Sequence, residues 1–322
     1  MEQLCNTVTD SKSTNTISTL DVPGNTKGDD DTNAAGGAIQ FVSHPLTART
    51  WNTDMNEKRG LYEGLICTLN GKDEIWYGAG NLHRHPYGGR AGQYWSEDAT
   101  LDYYNGYYEA QAAQSVGCIT CVKHMACNDQ EAKRTGLSVF VDEQALREIY
   151  LRAFEGAFDG GALSVMTTTG RIGTRLGKNY SALLTTVLRD EWGFQGHVTS
   201  DGYVNTGYYN NTLEELEAGM DYSCCDSAGS NAQRILNAIK AGDGNMLKQV
   251  RRAAKNNLYV MTKTASMNGL GNGSAVVAIV PAWEMAVAVT NIVVAVLLAA
   301  CLIMTVVQTR KNGKTKKEEI EA

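Results

Sequence analysis

Polar side chains follow short apolar runs of the sequence, at the point where each run ends. The run His197–Ser200 ends on Asp201, and the run Cys118–Val122 ends on Lys123 and His124. If these runs are parallel strands, their C-terminal ends lie at one rim of the sheet. Cationic donors and a carboxylate acceptor at one rim would suit a polyhydroxylated ligand, whose hydroxyl groups need both.

Two further runs, at 74–77 and 163–167, add cations to this set. The run 74–77 leads to Asn81, His83, Arg84 and Arg90, and the run 163–167 leads to Arg171. An acid among cations stays ionised at neutral pH, because nearby positive charge favours the carboxylate. Asp201 could then attack a carbon centre or stabilise a cation. Taken singly, each position also fits an ordinary polar loop residue.

The elements around these positions alternate between helix and strand. Helices are predicted over 53–70, 97–116, 142–158, 181–191, 232–240 and 246–261, with a capping box at 212–215 opening another. Strands separated by helices imply a parallel sheet. Five or six such units over about 225 residues favour an α/β fold, a TIM-like (β/α)8 barrel that is incomplete at its N-terminal end. The strands lack a following Gly-rich phosphate loop, which argues against a nucleotide-binding sheet.

The ends of the chain differ from the middle. Residues 1–37 are polar and predict a disordered lead before a barrel domain over 38–265. A Gly- and Asn-rich linker over 266–282 precedes a transmembrane helix over 283–307, which is long enough to cross a bilayer core of about 30 Å. The Lys and Arg residues of 308–322 predict a cytoplasmic tail, so the barrel would be extracellular in a single-pass protein of the cell membrane. Met1 is not followed by a secretory signal pattern.

Composition excludes several classes of partner. The net charge of −6 gives no reason to expect nucleic acid binding. Eight cysteines form no metal signature, and the pair Cys118 and Cys121 is interpreted as small buried hydrophobes. The acidic run Asp29–Asp31 lacks the later ligands of a calcium loop. We therefore expect neither a metal nor an organic cofactor.

Five segments together carry a resemblance to a known family. They are GAGNLHRHPYGGRAGQYWSED (78–98), VKHMACNDQEAKR (122–134), DEQALREIYLRAFEGAF (142–158), VLRDEWGFQGHVTSD (187–201) and AGMDYS (218–223). HPLTARTWN (44–52) also looks like the segment that leads into the family's barrel. The chain resembles glycoside hydrolase family 3, the β-glucosidase-like retaining exo-glycosidases, over roughly 40–265.

The resemblance implies roles for particular positions. Asp201 matches the catalytic nucleophile, which forms a covalent glycosyl intermediate. Arg90, Lys123 and His124 match residues that bind the hydroxyl groups of the terminal sugar. The cations Arg84 and Arg134 match motif residues near the same pocket.

The sequence departs from the family at several places. The family has an Asp-Gly-Pro segment on its first barrel strand, and residues 29–41 contain no such triplet. Gln93 stands where the family has Glu, and Thr169 where it has an aromatic residue. A retaining glycosidase needs two carboxyl groups roughly 5–5.5 Å apart. In most of the family the acid/base comes from a second α/β domain, and the residues Met125–Asn128 do not match the single-domain branch.

The leading hypothesis is a membrane-anchored retaining β-glucosidase-type hydrolase acting on an oligosaccharide or β-glucoside. Its acid/base would come from a separate α/β sandwich chain, and its helix 283–307 would contact the lipid bilayer. The alternative hypotheses are a catalytically impaired sugar-binding remnant, one half of a split enzyme, and a truncated product that does not fold alone.

Overall fold

The structure is a computed structural model that describes residues 1–10, 27–29, 41–77, 80–201, 211–224, 230–269 and 281–321. It divides into a unit Met1–Ser274 and a unit Ala275–Ala322. The segments after Asp201 and after Cys224, and most of the expected linker, lie outside the described residues.

Ten strands are found in the described part of the first unit. They are β1 (Thr9–Asp10), β2 (Lys27–Asp29), β3 (Glu74–Tyr77), β4 (Ile119–Met125), β5 (Ser138–Val139), β6 (Ser164–Thr167), β7 (Arg171–Ile172), β8 (Arg175–Leu176), β9 (His197–Thr199) and β10 (Ser223–Cys224).

Parallel pairing joins most of these strands in chain order. A five-stranded parallel sheet has the order β2-β3-β4-β6-β9. A parallel bridge between Thr199 and Tyr222 leads from β9 towards β10, and β10 pairs in parallel with β1. Strands β5, β7 and β8 form a separate small sheet that the sequence did not predict. The parallel sheet is thus confirmed, whereas closure into a barrel stays a prediction.

Helices lie between most strands of the first unit, as the alternation predicted, and α10 belongs to the second unit. They are α1 (Glu2–Asn6), α2 (His44–Ala48), α3 (Thr53–Leu69), α4 (Ala99–Ser115), α5 (Glu143–Ala145), a π-helix (Leu146–Tyr150), α6 (Arg152–Asp159), a 3-10 turn (Gly177–Asn179), a second π-helix (Ala182–Glu191), α7 (Thr212–Ala218), α8 (Ser230–Lys240), α9 (Gly244–Met261) and α10 (Ala282–Glu321).

Both faces of the sheet are buried, which is typical of a parallel sheet covered by helices. Val122, Val165 and Val198 pack against the helices, together with Phe154. The neighbouring strand residues, among them Cys121, belong to a separate cluster. Cys118 packs in yet another cluster, with Cys67, Ile75 and Ala113. The two cysteines therefore lie in different parts of the core, in agreement with their interpretation as buried hydrophobes.

Residues 1–10 differ from the disordered lead predicted over 1–37, of which 11–26 and 30–37 lie outside the described residues. Cys5 and Val8 are buried in a cluster with Leu216 and Ile235. The backbone is held as well, because Asn257 Nδ2 donates to the carbonyl of Thr7 at 2.9 Å. Two apolar residues spaced three apart, Cys5 and Val8, are too few to predict an amphipathic helix from the sequence. Their burial is nevertheless enough to pack α1 against α8 and α9.

Two helix predictions also change. The expected continuous helix over 142–158 is interrupted by the π-helix, in which Ile149 is 37% exposed. The capping box at 212–215 is wrong, because Asn211 is the N-cap of α7 and Thr212 is helical and buried. Glu215 does not reach back to the cap, since its carboxylate contacts Lys178 Nζ at 2.8 Å.

The second unit contains one long helix. Its segment Ala282–Asn312 contains an 18-residue stretch with a mean hydropathy of 2.7 and is long and apolar enough to cross a membrane. The hydroxyl groups of Thr290 and Thr305 donate to carbonyls one turn earlier in the same helix, at 2.8 Å. Hydroxyl groups satisfied in this way are compatible with an apolar surrounding.

Candidate active site

Asp201 lies directly beyond β9, at the C-terminal end of the sheet. Its Oδ2 is 3.2 Å from Arg134 Nη1 and 3.5 Å from His124 Nε2. The strand end is fixed by its neighbour, because Ser200 donates its N–H to the carbonyl of Tyr222 and accepts from Cys224 N, both at 2.9 Å. The carboxylate is held among cations while its side chain stays 14% exposed.

Lys123 and His124 lie inside β4 rather than after it, because the strand continues to Met125 and all seven of its residues are buried. This corrects the predicted strand end at Val122. The backbone N–H of His124 donates to Asn81 Oδ1 at 2.9 Å, which connects β4 to the segment after β3. Both predicted sugar-binding side chains are thus carried by a rigid element.

The imidazole of His124 has a partner at each ring nitrogen. Arg90 Nη1 is 3.4 Å from Nε2, and the hydroxyl of Tyr94 is 3.3 Å from Nδ1. Tyr94 donates to the carbonyl of Asn128 at 3.2 Å and accepts from its side-chain amide at 2.9 Å. The network is satisfied when Nδ1 carries the proton and Nε2 accepts from Arg90.

The protonation of His124 follows from its surroundings. Burial lowers its pKa well below the ordinary value of 6.5, and the charges of Lys123, Arg90 and Arg134 lower it further. The ring is therefore neutral at neutral pH. Its contact with Asp201 is that of a neutral imidazole and not an ion pair.

Arg90 and Arg134 are joined by a second carboxylate, that of Glu131. Arg90 Nε is 2.6 Å and Arg134 Nη1 is 3.5 Å from the same oxygen, Oε1. Arg90 Nη1 also donates to Gln93 Oε1 at 3.1 Å. The two predicted cations and the nucleophile candidate Asp201 therefore form one connected set.

Arg84 is placed differently from the other predicted residues. Its guanidinium lies 5.3 Å from the ring centroid of Tyr150. Its charge also acts on Asp129, whose pKa burial raises from its ordinary value of 3.8 to about 7 while Arg84 opposes the rise. Among the described residues, Arg84 therefore interacts with Tyr150 and Asp129 rather than with Asp201.

Sequence reasoning missed three residues that complete the site: Tyr94, Asn128 and Glu131. All three lie within the segments 78–98 and 122–134 that carried the family resemblance. Their polar type inside those segments was a usable signal, but which side chains meet could not be read from spacing.

The N-terminal strand β1 contributes another position. It ends on Asp10, whose backbone pairs with Cys224 of β10. The acidic residue Asp10 therefore ends β1, and β1 lies beside β10, the strand that follows Asp201 in the chain. The prediction of a disordered lead concealed this position.

A separate buried cluster contains His44, Glu63 and Glu109, whose ligand atoms lie within 4.8 Å of one another. Arg59 occupies the same space, with contacts of 2.7 Å to Glu63 and 2.9 Å to Glu109. Trp95 Nε1 also donates to Glu109 at 2.8 Å. The guanidinium of Arg59 occupies the space beside the two carboxylates where a metal ion would bind. The cluster therefore fits a structural role between α2, α3 and α4.

The site can supply the carboxylate of Asp201 beside an arginine, a second carboxylate between two arginines, a neutral imidazole and several cationic donors. Those groups match the needs of a sugar ring, with hydroxyl groups to bind and an electrophilic carbon to attack.

Comparison with known proteins gives a family match. Residues 73–256, more than half of the chain, match the family described as the glycosyl hydrolase family 3 N terminal domain. A beta-glucosidase from Ruminococcus albus is 33% identical over 249 residues, which are 74% of this chain and 26% of that protein. An exo-alpha-(1->6)-L-arabinopyranosidase from Bifidobacterium breve is 32% identical over 76% of this chain and 32% of its own length.

Solved structures agree with these relatives. Beta-glucosidase 3B from Thermotoga neapolitana, in complex with glucose, has a TM-score of 0.75 at 26% identity and covers 84% of this chain and 42% of that chain. A beta-glucosidase from Bifidobacterium adolescentis has a TM-score of 0.75 at 27% identity, over 86% of this chain and 41% of that chain. The chain thus spans about a quarter to a third of the curated relatives named above, and less than half of the solved ones.

Proposed function

The chain belongs to glycosyl hydrolase family 3, and from this we propose that it is a membrane-anchored retaining exo-glycosidase of β-glucosidase type. One observation carries the proposal. Asp201, at the end of β9, is held by Arg134 at 3.2 Å and lies 3.5 Å from His124, within reach of solvent. A carboxylate at that position suits attack on the anomeric carbon of a terminal β-linked sugar.

In the proposed reaction, a carboxylate oxygen of Asp201 bonds to the anomeric carbon as the bond to the leaving oxygen breaks. The leaving oxygen takes a proton from an acid. Water then attacks the glycosyl ester, gives its proton to the same acid's conjugate base, and frees the sugar and Asp201. Atoms and charges balance over the two steps.

The cations have binding roles in this proposal. Arg90 and Lys123 would donate to the sugar hydroxyl groups, and the neutral His124 would hydrogen-bond without adding charge. Arg134 would fix the carboxylate of Asp201 in line with the anomeric carbon. Arg84 would stabilise the segment around Asp129 through its contact with the ring of Tyr150.

We place the acid/base outside the described residues, on a separate α/β sandwich chain, with this chain as one half of a split enzyme. The support is that residues 73–256 match the N-terminal domain of the family, whereas the resemblance assigns the acid/base to a second domain. In such a two-part enzyme the second chain would supply the acid/base, while the nucleophile and the sugar-binding residues stay on this chain.

We further propose that the parallel sheet closes into a (β/α)8 barrel. The pairing of β1 with β10, the first and last strands of the series, supports closure. Asp10, which ends β1, would then stand where the resemblance implies the Asp of the family's Asp-Gly-Pro segment. It was not visible in the sequence because Ser11 and Lys12 stand where Gly-Pro was expected.

The helix around 283–307 would anchor the protein in the cell membrane, with the barrel outside and the basic tail in the cytoplasm. The mean hydropathy of 2.7 in an 18-residue stretch of Ala282–Asn312 supports the anchor. The cations after it, among them Arg310 and Lys311, support the orientation.

Hydrolysis of an aryl β-glucoside by the full chain in detergent tests the proposal, because a good leaving group lessens the need for an acid. Asp201→Ala should abolish turnover, and Asp190→Ala, which removes an exposed carboxylate from the second π-helix, should leave it unchanged. Wild-type rates in Asp201→Ala would exclude this residue as the nucleophile.

A second candidate function is a sugar-binding remnant without turnover. It is favoured by Thr169, whose buried hydroxyl has no hydrogen-bond partner among the described residues and which stands where the family has an aromatic residue. Such a protein would bind glucosides and hydrolyse none of them. Turnover that is lost in Asp201→Ala would remove this candidate.

A further inference from the structure

Nitrogen atoms of three different residues lie close to one oxygen of Glu131, two of them at hydrogen-bond distance and the third, from Arg134, at ion-pair distance. Arg90 Nε is 2.6 Å, Asn128 Nδ2 is 2.8 Å and Arg134 Nη1 is 3.5 Å from Oε1. Arg90 continues to His124 and Arg134 continues to Asp201. Glu131 therefore lies between the two cations that contact the candidate imidazole and the candidate nucleophile.

The backbone around Glu131 is fixed to the loop that carries Arg90. Glu131 N donates to the carbonyl of Gly88 at 2.8 Å. Gly89 has a φ of +95° and approaches so closely that a Cβ there would lie 2.9 Å from Glu131 Cβ. Such an approach at a positive φ requires glycine. The two loops are thus held together at the point where the side chains meet.

Charge explains why a carboxylate is needed at this point. Among the described residues, the guanidinium of Arg90 contacts the neutral His124 and that of Arg134 contacts Asp201 on the pocket side. A shared carboxylate offsets their mutual repulsion, and charge-assisted hydrogen bonds are the stronger kind. Without it, each guanidinium would be free to turn towards Asp201 or into solvent.

We propose that Glu131 is a positioning residue, which holds Arg90 and Arg134 in the orientation that binds the sugar and aligns Asp201. It acts through the two arginines and does not touch the reacting atoms. This inference rests on the proposed function and adds a residue to the machinery of the same site.

Glu131 is also close enough to Asp201 to be compared with an acid/base. Both carboxylates contact Arg134 Nη1, at 3.5 Å and 3.2 Å, so their oxygens lie less than 6.7 Å apart, the sum of the two contacts. Retaining pairs are separated by roughly 5–5.5 Å. Glu131 Oε1 is occupied by Arg90 Nε and Asn128 Nδ2, however, whereas an acid must present a proton to the leaving oxygen in the first step. The geometry therefore favours positioning.

The test measures kcat and KM of the full chain in detergent on 4-nitrophenyl β-glucoside, and binding of 1-deoxynojirimycin by calorimetry. Glu131→Gln should raise KM and the inhibitor Kd by about tenfold or more, because two charge-assisted contacts are lost. Glu131→Asp should restore part of the binding, since it keeps the charge. Glu143→Gln, which removes the same charge from an exposed ion pair with Arg147, should match the wild type.

Leaving-group dependence separates positioning from acid/base action. The proposal predicts equal losses on nitrophenyl and alkyl glucosides, and no recovery with azide. A loss confined to alkyl glucosides, or recovery with azide, would make Glu131 an acid/base and overturn the proposal. Wild-type KM and Kd in Glu131→Gln would overturn it as well.

Two further outcomes are distinct from these. If Glu131→Gln does not fold, Glu131→Asp carries the test, with an intermediate KM expected and a wild-type KM contradicting it. A wild-type chain that neither hydrolyses the glucoside nor binds the inhibitor would remove the proposed function, and the role of Glu131 would fall with it.

Discussion

Replacement of Asp129 by Asn should stabilise the folded protein in mild alkali. The Oδ1 atom of Asp129 is buried without a hydrogen-bond partner among the described residues. Burial raises the pKa of Asp129 from 3.8 to about 7, against the opposing charge of Arg84. A buried carboxylate therefore costs stability once it must ionise.

The sign and size follow from linkage. The unfolded chain releases the proton near the ordinary pKa, whereas the folded chain keeps it until about pH 7, so stability falls as the pH rises between those values. A shift of about three pH units corresponds to about 4 kcal/mol at 1.36 kcal/mol per unit. Because the side chain is partly exposed, we expect 2 to about 4 kcal/mol at roughly pH 8 and almost none at roughly pH 4.

Urea unfolding of the full chain in detergent, followed by the fluorescence of the buried Trp76 and Trp95, measures this difference. Asp129→Asn should unfold at higher urea than the wild type in mild alkali and at the same urea in acid. Asp190→Asn, an exposed carboxylate, is the matched control and should change neither midpoint. An Asp129→Asn variant that is equally or less stable at about pH 8 would refute the reasoning.

Three other outcomes are expected. Gly156→Ala should destabilise the protein by about 1–3 kcal/mol in urea unfolding, because the added Cβ would overlap the carbonyl of Tyr103, whereas Gly244→Ala meets open space and should be neutral. The wild type should lose stability as the pH falls through about 6.5, because the lowered pKa of His124 makes protonation favour the unfolded chain. His124→Gln should remove this loss. If the urea midpoint of the variant changes with pH as steeply as that of the wild type, the prediction is contradicted. The full chain should stay in the membrane pellet after an alkaline carbonate wash, and release into the supernatant would argue against Ala282–Asn312 as a spanning helix.

Part of the site could be predicted because strand ends are local features. The β-branched run before Asp201 and the apolar run before Lys123 both form strands of the parallel sheet. Parallel strands bring their C-terminal ends to one edge, so the meeting of Asp201 with His124 follows from topology. The contact at 3.5 Å agrees with that expectation.

Other features depend on contacts that spacing does not encode. Glu131 meets Arg90 across 41 positions of sequence, and Tyr94 meets His124 across 30. The π-helix over Leu146–Tyr150 shifts the face of a segment whose pattern fits a regular helix. Docking of α1 depends on Cys5 and Val8, whose surroundings come from α8 and α9, far along the chain.

The central claim is that Asp201 is the nucleophile. Incubation of the full chain with 2,4-dinitrophenyl 2-deoxy-2-fluoro-β-glucoside tests it most directly, since the fluorine slows release of the glycosyl ester and the leaving group needs little acid. Mass spectrometry of the digested protein should find the fluoroglucosyl group on Asp201, and Asp201→Ala should stay unlabelled. A wild-type protein without label, or with the label on another residue, would contradict the claim.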